Sequence, residues 1–319
     1  GKSKRCSDVF KIQTAALAKR MKHTKIDKAV IGISGGLDST LALLVTVKTF
    51  DYLKIPRKNI ISITMPGFGT TEETYKNALE LIKSLNVTMK DIDIKPACTQ
   101  HFKDIGHDIN THDITYENVQ SRERTQILMN IANKVGGLVI GTGDMSELAL
   151  GWCTYGGDQI SMYAVNSGVP KTLLMFLVRW EADNINDDKV KEILYKILNT
   201  PISPELLPPD AKGNIKQKTE EVIGPYELHD FFLYHMLRYG ATPSKILFLA
   251  KKAFIDKYSQ DEIKKWLIFF LKRFFSQQFK RSSMPDGPKV GTISLSPRGD
   301  LRMPSDAQVS SWIDELNDE

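Results

Sequence analysis

The chain has 319 residues, 41% of them hydrophobic, which is ample for one large core or a core with appended elements. Its 43 basic against 38 acidic residues leave a formal charge of +5, which suits small anionic ligands and is too weak to indicate a nucleic-acid partner. No apolar run reaches the roughly 18 residues of a membrane span, no apolar signal segment follows the polar, basic N-terminus, and the three scattered cysteines (Cys6, Cys98, Cys153) argue against a disulfide framework or a zinc site.

Ser7 is placed to cap a helix whose apolar positions, Val9, Ile12, Ala16 and Leu17, recur at helical spacing and end near His23. Lys28 to Ile33 reads as a short buried strand, followed by a Gly-rich turn and a helix from Thr40 to about Phe50. The pattern repeats: a strand at Ile60 to Met65, a helix at Thr71 to Ser84, a strand at Val87 to Ile94, a long helix at Thr115 to Val135 and a strand at Leu138 to Gly141. Four strands alternating with helices predict an α/β fold, a Rossmann-like doubly wound parallel sheet whose ligands bind beyond the carboxyl ends of the strands. Helices follow: Pro170 to Trp180, Asp187 to Leu198, Tyr226 to Tyr239, one capped by Thr242 with Pro243 at its first position, and Asp261 to Gln278. Trp266 to Leu271 is apolar all round, which implies a core or a subunit interface. A Pro-rich stretch, Pro201 to Pro209, and a Gly/Pro-rich tail from Met284 separate these pieces. The expected organisation is one domain over 1–283, with a helical extension over about 185–283, and a tail over 284–319.

The strongest chemical signal is the turn after the first strand, Gly32-Ile33-Ser34-Gly35-Gly36-Leu37-Asp38-Ser39-Thr40. Two glycines let backbone amides approach an anion at a helix N-terminus, and the hydroxyls add donors. Asp38 is out of place beside phosphate unless a cation such as Mg²⁺ lies between them. The Walker A pattern is absent, and the turn resembles the SGGxDS loop of ATP pyrophosphatases, which cleave ATP between the α and β phosphates.

A second constellation, Thr142-Gly143-Asp144-Met145-Ser146-Glu147 continuing through Trp152-Cys153-Thr154-Tyr155 to Asp158, follows the fourth strand. With the segments VNSGVPKTL and SPRGDLRMPSDA it is similar to the NAD⁺ synthetases, especially the glutamine-dependent form, over nearly the whole chain. That resemblance implies adenylation of the nicotinate carboxylate of deamido-NAD⁺ by ATP and displacement of AMP by ammonia. It implies ATP contacts at Gly32 to Ser39, Thr142, Lys171 and Ser203, and Mg²⁺ on Asp38 and Glu147. It further implies deamido-NAD⁺ contacts at Asn118, Arg122, Glu147, Trp152, Cys153, Thr154, Tyr155, Asp158 and Lys280, with Asp38, Glu147, Lys171 and Asp158 as the catalytic set. Thr154 and Ser203 stand where some ammonia-dependent relatives carry Lys and Thr. A homo-oligomer of at least a dimer, a cytoplasmic setting, and a nitrilase-like glutaminase domain in the full-length protein are also implied. Only about 30 residues precede the phosphate turn, so that domain is not expected in this chain, whose first residue, Gly, reads as a cut piece or an expression remnant.

The residue types fit that chemistry independently. Two anions must meet, so a divalent cation, Lys171 and the loop amides would offset their repulsion, while Trp152 and Tyr155 offer faces to a cationic pyridinium ring. Lys171 at a helix start is poorly placed electrostatically and calls for an anionic partner. Arg122 is favoured over Arg124 as a functional arginine. His107, Asp108, His112 and Asp113 read as a polar connection, Cys153 as a packing residue, and Asp300 or Arg302 of the tail as a cover for the substrate. A tRNA-thiolating enzyme or another ATP pyrophosphatase, and a non-catalytic nucleotide-binding module, remain the alternatives.

Overall fold

Short apolar runs that alternate with amphipathic helices leave the chain little choice but to lay its strands side by side and cover both faces. The computed structural model describes residues 1–203, 205–208 and 219–318. Pro204 and Pro209, within the Pro-rich stretch, lie outside the described residues. The order is α1 (Lys2–Thr24), β1 (Ala29–Gly32), α2 (Leu37–Leu53), β2 (Ile60–Thr64), α3 (Glu72–Ser84), β3 (Thr88–Asp91), α4 (Lys95–Asp104), α5 (Ile114–Val135), β4 (Leu138–Gly141), α6 (Met145–Leu150), β5 (Tyr163–Ala164), α7 (Lys171–Asn184) and α8 (Asp188–Asn199). Then come α9 (Thr219–Ile223), α10 (Tyr226–Tyr239), α11 (Pro243–Ala253), α12 (Gln260–Ser276), α13 (Gln278–Ser282) and α14 (Ser310–Asn317).

The sheet runs β3-β2-β1-β4-β5, every pair parallel, with Ala29 opposite both Ile60 and Leu138. The period of two sorts the side chains. Ile31, Ile60, Leu138 and Ile140 face a core closed by α1, α2, α3, α7 and α8, while Val30, Ile61, Ile63 and Val139 face one closed by α4 and α5. The doubly wound expectation holds, with a two-residue fifth strand that no periodicity announced.

Several boundaries differ from expectation. α1 begins at Lys2, so Ser7 lies inside it rather than capping it. α2 begins at Leu37, so Asp38 and Ser39 belong to its first turn. α4 was not expected: only Cys98 and Phe102 of its ten residues are buried, too few to show a period. α8, expected to open the helical extension, packs on the sheet side with Val190, Ile193, Leu194 and Ile197.

A separate helical cluster joins α6, α10, α11 and α12 with Met284, Ile293, Leu295 and Leu316 of the tail. Trp266, Leu267, Phe270 and Leu271 are buried in it, so this chain's own core accounts for most of the apolar run. Inside the cluster, His229 Nε2 donates to the Ile223 carbonyl at 2.7 Å, Nδ1 has no hydrogen-bond partner, and burial pulls the imidazole down to about 4. An unfolded histidine titrates near 6.5, so below that pH the unfolded chain takes up a proton the folded one refuses. Stability is therefore expected to fall as pH drops from 7 towards 4, by about 2 kcal/mol at pH 5 from this group. Urea unfolding at pH 7 and 5 checks it: His229→Gln should lose most of that dependence, and an equal pH dependence in the variant would refute the assignment.

Candidate active site

Strand order reverses between β1 and β4, so the loops after them part and open a crevice at the carboxyl edge of the sheet. A cavity of about 450 Å³ fills it. Gly32, Ile33, Ser34, Asp38 and Ser39 line it from the first loop, Thr142, Gly143 and Glu147 from the second, and Ser203, Glu205 and Leu206 from the Pro-rich stretch.

The first loop is built for a close approach. Gly35 has φ 88°, and a Cβ there would lie 2.1 Å from the Thr74 carbonyl of α3, so conformation and packing both demand glycine. No side chain caps α2. The hydroxyls instead brace the turn: Gly36 N–H donates to Ser34 Oγ at 3.2 Å, and Thr40 Oγ donates to the Gly36 carbonyl at 2.8 Å. The first amides of a 17-residue helix thus lie at the crevice beside the hydroxyls, the arrangement an anionic ligand uses. Buried Asn166 ties the two loops, donating to the carbonyls of Asp38 at 2.9 Å and Thr142 at 3.1 Å.

The second loop supplies the charge. Asp144 caps α6, its Oδ1 accepting the Glu147 N–H at 2.8 Å, and this cap aims Glu147 at Asp38. Oxygens of Asp38, Asp144 and Glu147 lie within 4.8 Å of one another. Fully buried Lys171, the first residue of α7, sits among them, its Nζ 2.7 Å from Asp38, 2.7 Å from Asp144 and 3.0 Å from Glu147. The approach to Asp144 Oδ2 is an ion pair without hydrogen-bond alignment. Burial opposes charge on Lys171, yet Asp144, Asp38 and Glu147 outweigh it and hold the amine well above its ordinary value. Burial and then the neighbouring Asp38 push the Glu147 carboxyl up to about 7, and burial raises Asp144 despite Lys171. Three carboxylates against one ammonium leave a formal charge of −2, which one divalent cation would balance. Three hard oxygen donors at this separation suit Mg²⁺. Asp144, missed because it reads as an ordinary helix cap, belongs to the cluster as much as Asp38 and Glu147 do.

Basic side chains of α12 and α13 hold the far end of α6. Arg273 donates to the Leu150 and Gly151 carbonyls, buried Arg281 to those of Leu148 and Ala149, and Lys280 to those of Gly151 and Cys153. Cations thus satisfy the orphan carbonyls of a six-residue helix that could hardly persist alone. The next loop is organised by Asp158, whose Oδ1 accepts the Thr154 N–H at 2.7 Å and the Ser121 hydroxyl at 3.0 Å, while the Thr154 hydroxyl donates to Asn118 at 2.9 Å. Burial raises the Asp158 carboxyl, and it raises the Cys153 thiol strongly enough to keep it protonated and unreactive.

Most expected site residues converge. Asn118, Trp152, Cys153, Thr154, Asp158 and Lys280 line the cavity with those already named, although the Lys280 amine is engaged by carbonyls. Gly35, Gly36 and Leu37 form the turn without lining the cavity, and Lys171 lies behind the carboxylates. Arg122 and Tyr155 are not on the wall: Arg122 Nε donates to the Tyr155 carbonyl, and Tyr155 is exposed beside Phe279, ring centroids 5.5 Å apart. Arg124 is there instead, its Nε donating to the Met65 carbonyl at 3.0 Å. The spacing Glu117, Ser121, Arg124, Leu128 marks one face of α5, and all four line the cavity while Arg122 falls off it. In the tail, Asp300 pairs with Lys289, and neither Asp300 nor Arg302 lines the cavity, so the expected cover is not formed by them. His107, Asp108 and His112 lie in a connection between α4 and α5, and Asp113 caps α5, as a polar linker requires.

Comparison with known proteins agrees with this geometry. The NAD synthase family model matches residues 9–268. The glutamine-dependent NAD(+) synthetases of Mycobacterium leprae and Mycobacterium tuberculosis H37Rv are each 45% identical across 98% of this chain and 50% of their own length. The chain thus spans about half the length of the curated relatives it matches. Among solved structures, a glutamine-dependent NAD(+) synthetase from Cytophaga hutchinsonii superimposes with TM-score 0.80 over 98% of this chain and 56% of that one, at 18% identity. An NH3-dependent NAD synthetase from Campylobacter jejuni superimposes with TM-score 0.57 over 90% and 98%, at 21% identity. These two likenesses speak for the fold, the mycobacterial ones for descent, and together with the family match they establish that the chain belongs to the NAD synthase family.

Proposed function

We propose that the chain forms NAD⁺ from deamido-NAD⁺, ATP and ammonia. The observation that carries this reading is the Asp38–Asp144–Glu147 cluster around Lys171, set at the mouth of the phosphate turn where β1 and β4 part. In this reading the turn amides, Ser34 and Ser39 receive the ATP phosphates, and Thr142 and Ser203 flank the nucleotide. Asn118, Glu147, Trp152, Thr154, Asp158 and Lys280 frame deamido-NAD⁺, with Cys153 as packing. Arg122 and Tyr155, expected as further deamido-NAD⁺ contacts, lie off the cavity wall and are given no contact in this reading. A nicotinate carboxylate oxygen bonds to the α-phosphorus and pyrophosphate leaves. Ammonia then bonds to the acyl carbon, loses a proton, and AMP departs with the old carboxylate oxygen.

Asp38, Asp144 and Glu147 would hold Mg²⁺, which when bound neutralises phosphate charge and polarises phosphoryl oxygens. Lys171 opposes the upward push of burial on the Asp144 and Glu147 carboxyls and draws the three acids together. Trp152, half-buried on the cavity wall, offers a flat apolar face to a ring. A tRNA-thiolating alternative gains no support: Cys6 and Cys98 are buried in different cores and all three cysteines are free. No described helix is long and apolar enough to cross a membrane. A glutaminase domain as ammonia source in the full-length protein, a homo-oligomeric state and a cytoplasmic setting belong to the same proposal.

Incubation with ATP, Mg²⁺, ammonium and deamido-NAD⁺ should yield NAD⁺, AMP and pyrophosphate in equal amounts, and glutamine should not replace ammonium for this chain. Formation of ADP, or AMP release that ignores deamido-NAD⁺, would sink the reading.

A further inference from the structure

Beneath the carboxylate cluster lies a contact that this reading leaves unused. Helix α7 starts at Lys171 with Pro170 at its N-cap, and proline has no side chain able to cap. Its first amides are served from elsewhere. The Lys171 N–H donates to Ser146 Oγ at 2.8 Å. The Thr172 N–H and hydroxyl both donate to Asp230 Oδ2, at 3.0 and 2.6 Å. The Ser146 hydroxyl in turn donates to Asp230 Oδ1.

Asp230 is on α10, in the helical cluster, far from these residues in sequence. Ser146 immediately precedes Glu147, and Thr172 immediately follows Lys171. One carboxylate therefore ties the first turns of α6 and α7 together, at the two positions next to the residues whose side chains meet at 3.0 Å. Both turns present amide-rich, partially positive ends, and a carboxylate is the group that suits them. One turn earlier on α10, the ring of Tyr226 lies 5.2 Å from the Lys171 amine, so the same helix face also bounds the ammonium.

We propose that Asp230 is a positioning residue for the active site: through Ser146 and Thr172 it sets α6 against α7, and thereby Glu147 against Lys171. The inference rests on the reading of the site given above. It makes α10 the route by which the helical cluster fixes the catalytic geometry, with no contact between Asp230 and any substrate required.

Asp230→Asn tests it. The side chain keeps its size, but its amide cannot accept from the Thr172 N–H, the Thr172 hydroxyl and Ser146 all at once. Substitutions one contact away from a charged site commonly lower activity or metal affinity by about 10–100-fold. The D230N chain, assayed well below its Tm with saturating ammonium, should lose about 30-fold in kcat while KM for ATP and for deamido-NAD⁺ stays within about twofold. Mn²⁺ binding followed by electron paramagnetic resonance should weaken by about tenfold without any turnover. Thr172→Val, which keeps the Thr172 N–H bond to Asp230, should lose less than about fivefold in kcat. A merely structural role predicts a lower Tm with wild-type kcat and Mn²⁺ affinity, and that result overturns the proposal. If D230N does not fold, Ser146→Ala takes its place: it removes the Ser146 bonds to Asp230 and to the Lys171 N–H while leaving the Thr172 bonds to Asp230, and an unchanged kcat there is equally fatal. The wild-type chain run alongside separates the failures. No NAD⁺ from the wild type defeats the reading of the site and this inference together, whereas wild-type turnover with an unimpaired D230N defeats this inference alone.

Discussion

Glu147→Gln is expected to lower the rate of NAD⁺ formation by about 10³-fold, with the fold intact. Glutamine fills the same space and keeps an acceptor oxygen, but it removes one of three negative charges from the cluster. Its acceptor oxygen can still meet the Lys171 ammonium, which sits 3.0 Å from one Glu147 oxygen, so the NH₂ replaces the other oxygen, the one left for a cation. Asp38→Asn should be as severe, since Asp38 meets the same amine at 2.7 Å from the opposite loop. The double variant should be little worse than either single one, because groups that act as a unit lose their effect together. Steady-state assay of NAD⁺ and pyrophosphate, with Tm measured in parallel, checks this. Either single variant turning over at the wild-type rate would show that the cluster is not where the reaction is promoted.

How much of this was legible in the sequence depends on whether a residue's task leaves a local mark. The phosphate turn did: two glycines, hydroxyls and an acid at the end of an apolar strand have few other uses, and Gly35 proves indispensable on both φ and packing. The sheet did as well, because each strand is short, apolar and followed by a helix. Asp144 was hidden because its capping role is sufficient reason for an aspartate before a helix, although the same carboxylate also faces Lys171. That Arg124 reaches the cavity and Arg122 does not was hidden, because adjacent charges look alike until the face of α5 is followed through Ser121 and Leu128. Asp230 left no mark at all: its partners are Ser146 and Thr172, and only the folded chain brings them together. Helix α14 was equally silent, with Leu316 as its one buried residue.

Lys171→Met should have the second large effect, on stability and turnover at once. Lys171 is fully buried, and among the described residues it is the cation paired with Asp38, Asp144 and Glu147. Removing one partner from a buried ionic cluster typically costs about 3–5 kcal/mol, since the remaining charges stay desolvated without compensation. In a chain of this size that corresponds to a Tm lower by about 4–7 °C in the presence of a chelator. The three carboxylates that remain form a more negative site, so a divalent cation should bind the folded variant more tightly and restore part of the loss by mass action. Wild-type protein, whose ammonium already offsets one charge, should gain less from the same Mg²⁺ addition. Turnover should fall by about 10³-fold even with Mg²⁺ saturating, because the carboxylates lose the centre that orients them. Thermal unfolding with chelator and with Mg²⁺ therefore distinguishes a neutralising lysine from a lysine that merely fills space. A K171M chain with the wild-type Tm in chelator, gaining no more from Mg²⁺ than the wild type does, would mean that the buried ammonium is not what keeps these three acids together.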